Sequence, residues 1–325
     1  MGRYGVTIPY DRTPLGEQRE MIEEIAALGY SDVWSAEASA TDGFVPLALA
    51  STWAPKLQLG TGIVPSFTRG PATLAMCVAT MAEAAPGRFH FGLGTSSDVI
   101  VERWNGIEFK EPYRRNRDMV RFLKAVLAGE KVTEDYDTFT VKGFRLDRPP
   151  AVVPPILVAA LRPGMLRLAG RLADGTVINW LSADDVRRIV PEVGPGKEVV
   201  ARIYVCPNED AAAVRSAAKP LIAAYLNVEV YALFQQWLGR GQQLQAMWDH
   251  WRQGDRKAAV AAIPDAVVDE LVVHGSPRAC RAHIDRYVAN GVTVPVVMPL
   301  PFGISQREAV RLLAPSPPEV PAVRA

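Results

Sequence analysis

Short apolar runs alternate with longer stretches of helical periodicity along most of this chain. A largely apolar run bounded by glycine, proline or polar residues indicates a strand, and apolar residues that recur every three or four positions indicate a helix. Eight strands are predicted over residues 4–10, 32–37, 57–65, 87–94, 154–160, 175–180, 199–205 and 292–299. Seven helices are predicted over residues 16–28, 46–54, 71–84, 113–128, 163–173, 210–226 and 276–290, and the one at 276–290 is expected to be the last. A further helix is expected to follow a capping sequence at 182–185.

This alternation predicts the fold class. In the first four units no two strands are joined by a tight hairpin turn, so helices connect successive strands and the strands run parallel. Eight parallel strands close naturally into a barrel. The sequence therefore predicts an α/β protein, a single (β/α)8 TIM barrel formed by residues 1–314.

Two segments interrupt the alternation, and we expect them to be insertions at the C-terminal mouth of the barrel. The first, at about 104–150, holds one helix and a polar stretch. The second, at about 227–270, is expected to be helical and carries Trp237, Trp248 and Trp251. These tryptophans either cover the substrate site or fill a helical interface. Residues 315–325, with four prolines and no apolar periodicity, are expected to form a disordered tail.

Composition narrows the classes of function. Lys and Arg number 36 and Asp and Glu 35, so the net charge of +1 provides no field that favours nucleic acid or an anionic membrane. The N-terminus has no apolar signal region, and no apolar run approaches the length of a membrane span. The three cysteines and four histidines show no metal-ligand spacing. We expect a cytoplasmic protein that acts on a small molecule without a metal.

The run at 86–97, PGRFHFGLGTSS, is the first candidate for chemistry. It reads as a buried strand that ends in a glycine-rich turn followed by three hydroxyl side chains. Glycine lets the backbone approach a planar or phosphorylated ligand, and α/β proteins place their chemistry at the C-terminal ends of parallel strands. The likeness to a dinucleotide fingerprint is weak, because the third glycine and the later acidic strand end are both absent. An alternative is that these glycines serve packing alone.

A second candidate is the start of the helix at 163–173. A helix N-terminus offers free backbone N–H groups and a positive dipole end, which together favour an anion. Arg162 adds a full charge, and Pro163 suits the first turn. The sequence therefore predicts a phosphate site here. Arg167 and Arg171 lie on one face of the same helix, and we expect them to be solvated.

Several ordered motifs resemble the luciferase-like monooxygenase family, also called the bacterial luciferase superfamily. Together they span roughly residues 1–298, and the Met-Leu-x-Leu-Ala form of the fifth unit is most similar to members that use coenzyme F420. The resemblance implies a (β/α)8 barrel, often dimeric, that holds a flavin or deazaflavin at its C-terminal mouth. The motifs are LGTGI at 59–63 with RGP at 69–71, GRF at 87–89 with GLGT at 92–95, YRR at 113–115, the run at 159–175, and HGSP at 274–277.

The resemblance also implies particular site residues. It predicts a non-prolyl cis peptide bond between Gly62 and Ile63, with Ile63 pressing on the ring from behind. Glu37 matches an acidic position near the ring and is the predicted catalytic residue, which hydrogen-bonds the ring or relays a proton. The alternative is a rim carboxylate paired with an arginine. The predicted cofactor-binding residues are Thr61, Gly62, Ile63, Gly94, Thr95, Ser96, Ala160, Leu161, Arg162, Pro163, Gly164 and Met165.

The functional hypothesis is an F420-dependent oxidoreductase that transfers a hydride between C5 of the deazaflavin and a small organic substrate. Ala38 and Ser97 stand where the sugar-phosphate dehydrogenases of the family carry a histidine and a glutamate, which argues against glucose-6-phosphate dehydrogenase activity. Two alternatives stay open. One is an FMN-dependent monooxygenase supplied with reduced flavin by a partner reductase, and the other is a non-catalytic flavin- or deazaflavin-binding protein. A homodimer is expected in each case.

Overall fold

Eight parallel strands form the centre of the protein, which is described by a computed structural model over residues 2–11 and 13–315. Each strand pairs with the next along the chain, and β8 pairs with β1, so the sheet closes on itself. The predicted (β/α)8 barrel is thereby confirmed. The barrel strands are β1 (Gly5–Thr7), β2 (Asp32–Ser35), β3 (Gln58–Thr61), β4 (Phe89–Gly94), β5 (Ile156–Ala159), β6 (Gly175–Asn179), β7 (Glu198–Cys206) and β8 (Val294–Pro299).

Helices surround this barrel. A 3-10 turn at Leu15–Glu17 precedes α1, and a π-helix at Val99–Trp104 follows β4. No helix within the described ranges is both long and apolar enough to cross a membrane. The α-helices are α1 (Arg19–Ala27), α2 (Val45–Trp53), α3 (Pro71–Ala84), α4 (Pro112–Leu127), α5 (Pro163–Leu172), α6 (Val186–Val193), α7 (Ala211–Leu226), α8 (Glu229–Leu238), α9 (Gly241–Arg252), α10 (Arg256–Ala261), α11 (Asp265–Leu271), α12 (Pro277–Ala289) and α13 (Gln306–Leu312).

The alternation of side chains along each strand divides the protein into two apolar layers. Phe89 and Phe91 of β4 point outward, where they pack with the ring of Phe44 beside α2. His90, between them, points into the barrel and faces the ring of Trp34. The side chains that fill the barrel interior are Trp34, Leu157, Val177, Val200, Val294 and Val296.

Charged side chains close the N-terminal end of the barrel. Asp32 is fully buried and accepts hydrogen bonds from Arg3, one of them at 3.0 Å. Arg3 also donates to Glu198 at 3.1 Å, and the other carboxylate oxygen of Glu198 lies 3.3 Å from Nδ1 of His90. Burial acts to raise the pKa of Glu198, but His90 and Arg3 outweigh it and hold that pKa below its usual range. We call these four residues the lower charge network.

Four elements were missed by the sequence analysis. The stretch predicted as merely polar contains an antiparallel pair of strands, Val132–Asp135 and Thr140–Phe144. These strands are largely exposed, so apolar alternation does not mark them. A strand at Val272–His274 pairs with the end of β7 but is too short for a periodic signal. The prediction that the helix at 276–290 is the last was wrong, because α13 follows it.

The two predicted insertions have different structures. In the first, α4 packs against α3 and α5, so it takes the place of the crossover helix between β4 and β5. The second holds α8 to α11 and is helical as expected. The domain boundaries stay predictions. Of the predicted tail, residues 316–325 lie outside the described residues.

Candidate active site at the C-terminal mouth

The ends of β3 and β4 are locked together by Thr61. Its hydroxyl donates to the carbonyl of Gly92 at 2.9 Å and accepts from the N–H of the same residue at 2.8 Å. A Cβ at position 92 would lie 1.9 Å from the carbonyl oxygen of Thr61, so only glycine allows this approach. Because the Thr61 side chain is fully buried and satisfied, only its backbone is left for the cofactor contact that we predicted.

The Gly62–Ile63 peptide bond is cis, which confirms the prediction made from the family resemblance. The N–H of Gly62 donates to the carbonyl of Ser35 at 2.6 Å, and the carbonyl of Ile63 accepts from the N–H of Glu37 at 3.0 Å. Both hydrogen bonds attach this turn to the end of β2. The side chain of Ile63 therefore has a fixed position at the mouth.

Glu37 forms the arginine pair that the sequence left open as an alternative. Its Oε1 accepts from Arg69 at 2.6 Å, and its Oε2 accepts from the N–H of Gly43 at 3.1 Å. Thr68 approaches Oε1 more weakly, at 3.4 Å. The carboxylate is thus held in one orientation beside Ile63, and its role toward a bound ring stays a prediction.

The turn after β4 has an unusual backbone. Ser96 has a φ of +62°, a left-handed conformation that is uncommon for residues other than glycine and is concentrated at functional sites. Thr95 and Ser96 are half-buried, and a π-helix begins three residues later at Val99. Isolated π-helical turns are also frequent at functional sites. Ser97 is engaged locally, since its hydroxyl oxygen accepts from the N–H of Ile100 at 3.4 Å.

The strand ends of β3, β4 and β5 meet around small residues. A Cβ at Gly94 would lie 2.8 Å from Ile63 and 3.1 Å from the Cβ of Ala159. Ala159 therefore faces the mouth, whereas Ala160, which we predicted, is buried among the side chains between barrel and helices. The two residues are adjacent, so their side chains point to opposite faces, and a cofactor contact by Ala160 stays a prediction.

The start of α5 is open to an anion. Arg162 is the N-cap residue, its side chain is exposed, and no side chain caps the first turn. Within residues 2–11 and 13–315, no carboxylate lies within ion-pair distance of Arg162. Gly164 has open space at its Cα. Arg167 pairs with Glu192 at 2.7 Å, and Arg171 donates to the hydroxyl of Tyr113 at 3.1 Å; both side chains are exposed, as expected.

The tryptophans of the second predicted insertion fill helical interfaces. Trp248 is buried, and its indole N–H donates to the carbonyl of Leu226 in α7 at 2.8 Å. Trp237 stacks on Phe234 and lies under the guanidinium of Arg188. Trp180, just after β6, is buried in the same cluster as Trp248, and its ring lies 4.0 Å from the ring of Tyr204, centroid to centroid.

Sequence reasoning missed a cavity on the barrel axis. It contains Arg202, a charged residue inside the apolar run predicted as the seventh strand, which was the available signal. Gly62 is the one predicted site residue that lines this cavity. The lining residues are Thr7, Trp34, Ser35, Ala36, Gly62, Val177, Val200, Arg202 and Val296. In the part of the chain that the structure describes, no group of three or more His, Cys, Asp or Glu side chains is arranged to hold a metal ion.

Comparison with known proteins gives concordant matches. Residues 2–294 match the family model for luciferase-like monooxygenases. The chain is 27% identical over 298 residues to 5,10-methylenetetrahydromethanopterin reductase of Methanolobus tindarius, which covers 88% of this chain and 90% of that protein. It is 32% identical over 156 residues to an F420-dependent glucose-6-phosphate dehydrogenase of Rhodococcus hoagii, 46% of each chain. The solved coenzyme F420-dependent tetrahydromethanopterin reductase of Methanopyrus kandleri has the same fold, with a TM-score of 0.80 and 19% identity over 97% of this chain and 98% of that chain.

Proposed function

Because the chain belongs to the luciferase-like monooxygenase family, we propose that it is an oxidoreductase that uses coenzyme F420. It would transfer a hydride between this cofactor and a small organic substrate. The observation that carries the proposal is the mouth itself, where a cradle of small residues lies beside an open anion site. Relatives with F420 in their names support the choice of cofactor.

The cradle fits a planar ring. Gly94 packs directly against Ile63 and Ala159, so the ends of β3, β4 and β5 lie close together, and the backbone of Ile63 is hydrogen-bonded to the end of β2. Thr95 and Ser96 add two hydroxyl groups just past β4. A ring held between these groups has its orientation set by the chain, which is how a protein directs the chemistry of a bound cofactor.

The start of α5 fits the remainder of the cofactor. Coenzyme F420 carries a phosphodiester and a glutamate tail, so it needs partners for anions. Arg162 and the backbone N–H groups of Gly164 and Met165 are available for one of them, since the helix has no side-chain cap. Leu161 and Pro163 flank Arg162 at this start, with Pro163 in the first turn of the helix.

When bound, coenzyme F420 supplies a carbon, C5, that carries the hydride. The residues of this chain then position the reactants and restrict the access of water. Glu37 is the proposed catalytic residue, because Arg69 and Gly43 hold its carboxylate beside the cradle while lone pairs on Oε2 stay free to accept a proton or a hydrogen bond. Ala38 and Ser97 supply no acid or base there, so we propose a substrate other than a sugar phosphate.

Titration of the purified protein with F420 and with FMN tests the proposal. We expect F420 to bind at least tenfold more tightly than FMN, measured by cofactor fluorescence. Arg162→Gln should weaken F420 binding about tenfold or more, because it removes a charge-assisted hydrogen bond. Arg171→Gln, on the same helix, is the matched control and should stay within about twofold of the unsubstituted protein.

Two outcomes would contradict the proposal. Micromolar binding of FMN without binding of F420 would favour the flavin-dependent monooxygenase. Binding of F420 without turnover of any alcohol, aldehyde, imine or enone would favour a non-catalytic binding protein.

We also propose a homodimer in the cytoplasm. Val45 on α2 and Met76 on α3 are large apolar side chains that are about half exposed on neighbouring helices, which supports a subunit interface there. Light scattering should give twice the mass of one chain, and a single-chain mass would contradict the dimer.

A further inference from the structure

The cavity on the barrel axis has an unbalanced charge. Arg202 points into it from β7, and the described residues place no Asp or Glu within ion-pair distance of its guanidinium. Its Nε is buried without a hydrogen-bond partner, and one Nη donates only to the sulfur of Met298, at 3.2 Å. The guanidinium is half-buried and lies 5.7 Å from the centre of the Tyr204 ring, but it has no carboxylate partner, so this arrangement favours an anion that enters from outside.

Two other arginines of this protein that are buried or half-buried have oxygen partners. Arg240 donates to Asp185 and to Glu270, in both cases at 2.6 Å. Arg115 has no carboxylate, but it donates to the carbonyls of Ser66 and Thr138. Arg202 differs from both because its one protein acceptor is a thioether, which accepts hydrogen bonds only weakly.

Two further residues that line the cavity carry unpartnered polar groups that can donate hydrogen bonds. The hydroxyl of Thr7 and the indole N–H of Trp34 are buried and have no hydrogen-bond partner. The hydroxyl of Ser35 is already used, since it donates to the carbonyl of Gly43. Burial raises the pKa of neighbouring Tyr204 well above its usual range, so this phenol stays neutral and provides no countercharge. A ligand in this cavity must therefore supply the acceptors.

We propose that Arg202, Thr7 and Trp34 bind a carboxylate group of the substrate. The planar guanidinium presents paired N–H groups that match the two oxygens of a carboxylate, and Thr7 and Trp34 offer further hydrogen bonds. The substrate of the enzyme is thus an organic acid, with its carboxylate on the barrel axis and its reacting carbon toward the cradle.

The position of the cavity supports substrate rather than cofactor as the source of the carboxylate. The cavity is lined by residues of β1, β2, β6, β7 and β8 and by Gly62, which follows β3. The proposed cofactor contacts lie instead at the ends of β3, β4 and β5 and at the start of α5. The two sites meet at Gly62. The inference therefore rests on the proposed function, because it takes the adjoining cradle to hold the cofactor.

The test measures binding of propionate and benzoate, each against its uncharged amide, by calorimetry on the protein without cofactor. We expect the acids to bind more tightly than the amides, and Arg202→Met to weaken acid binding at least tenfold. Arg202→Lys should retain part of the affinity because it keeps the charge. Arg145→Met, which changes an exposed arginine, should have no effect.

Separate measurements distinguish this inference from the proposed function. F420 affinity of Arg202→Met should stay within about twofold of the unsubstituted protein. The inference would be overturned if the protein bound the acids no more tightly than the amides. It would also be overturned if Arg202→Met bound the acids as tightly as the unsubstituted protein does. Neither result would count against the proposed cofactor. If Arg202→Met lost F420 affinity tenfold but bound the acids unchanged, Arg202 would be a cofactor-binding residue, and the inference would again be overturned. Should Arg202→Met fail to fold, Thr7→Val, which is isosteric, replaces it with an expected loss of about threefold, and no loss would count against the inference.

Discussion

The two ends of the barrel interior use charged residues in opposite ways. At the N-terminal end, Arg3 lies within ion-pair distance of both Asp32 and Glu198, and Glu198 also lies 3.3 Å from Nδ1 of His90. At the mouth, the described residues place no carboxylate within ion-pair distance of Arg202. A single strand provides both situations, because Glu198 and Arg202 lie four residues apart on the inward face of β7.

The difference separates stability from ligand binding. An arginine that is paired with carboxylates, as Arg3 is, needs no ligand, and removal of one carboxylate weakens or breaks that pairing. Groups at the mouth that lack partners contribute little to the stability of the empty protein but are available to a ligand. In TIM barrels generally, the C-terminal face carries activity and the opposite face carries stability.

The largest expected effect is on the lower charge network. Asp32→Asn removes the fully buried partner of Arg3, and we expect it to lower the free energy of unfolding by about 3 to 5 kcal/mol in urea titration. The control is Asp249→Asn, which breaks an exposed pair with Arg252 and should cost about 1 kcal/mol or less. Equal losses of unfolding free energy in the two variants would show that the lower charge network adds no more to stability than an exposed ion pair does.

An intermediate effect is expected in the cradle. Gly94→Ala places a methyl group 2.8 Å from Ile63, so the Ile63 side chain must move. We expect F420 affinity to fall about tenfold, with a loss of stability of about 1 to 3 kcal/mol from overpacking. Gly16→Ala, where the added methyl group meets open space, is the control for affinity. Unchanged F420 affinity in Gly94→Ala would show that the cradle does not hold the ring.

The smallest effect concerns pH. The pKa of Glu198 is lower in the folded protein than in the unfolded chain, so its contribution to stability is present above about pH 4.3, the usual glutamate value, and is lost as the pH falls through the folded pKa. The stability difference between the unsubstituted protein and Glu198→Gln should therefore shrink between pH 6 and pH 3. A constant difference in urea titrations across that range would contradict this assignment.

The sequence predicted the barrel well because each barrel strand carries its own local signal, an apolar run with polar or glycine ends. The site was predicted less completely, since it depends on which face each residue presents and on which distant residues surround it. The sequence did not show, for example, that the side chain of Ala159 lies beside Gly94 while that of Ala160 points away from the barrel interior. Arg202 was visible as a charge in an apolar strand, but its lack of a partner emerges only when β7 is closed against β6 and β8.

The most direct test compares unfolding free energies of the unsubstituted protein, Asp32→Asn and Arg202→Met, each without and with saturating F420. We predict that F420 stabilises all three by a similar amount, about 2.7 kcal/mol at a concentration one hundred times the Kd. Without F420, Asp32→Asn should be several kcal/mol less stable, while Arg202→Met should lie within about 1 kcal/mol of the unsubstituted protein. The account would be contradicted if F420 gave no stabilisation, or if Arg202→Met were as unstable as Asp32→Asn.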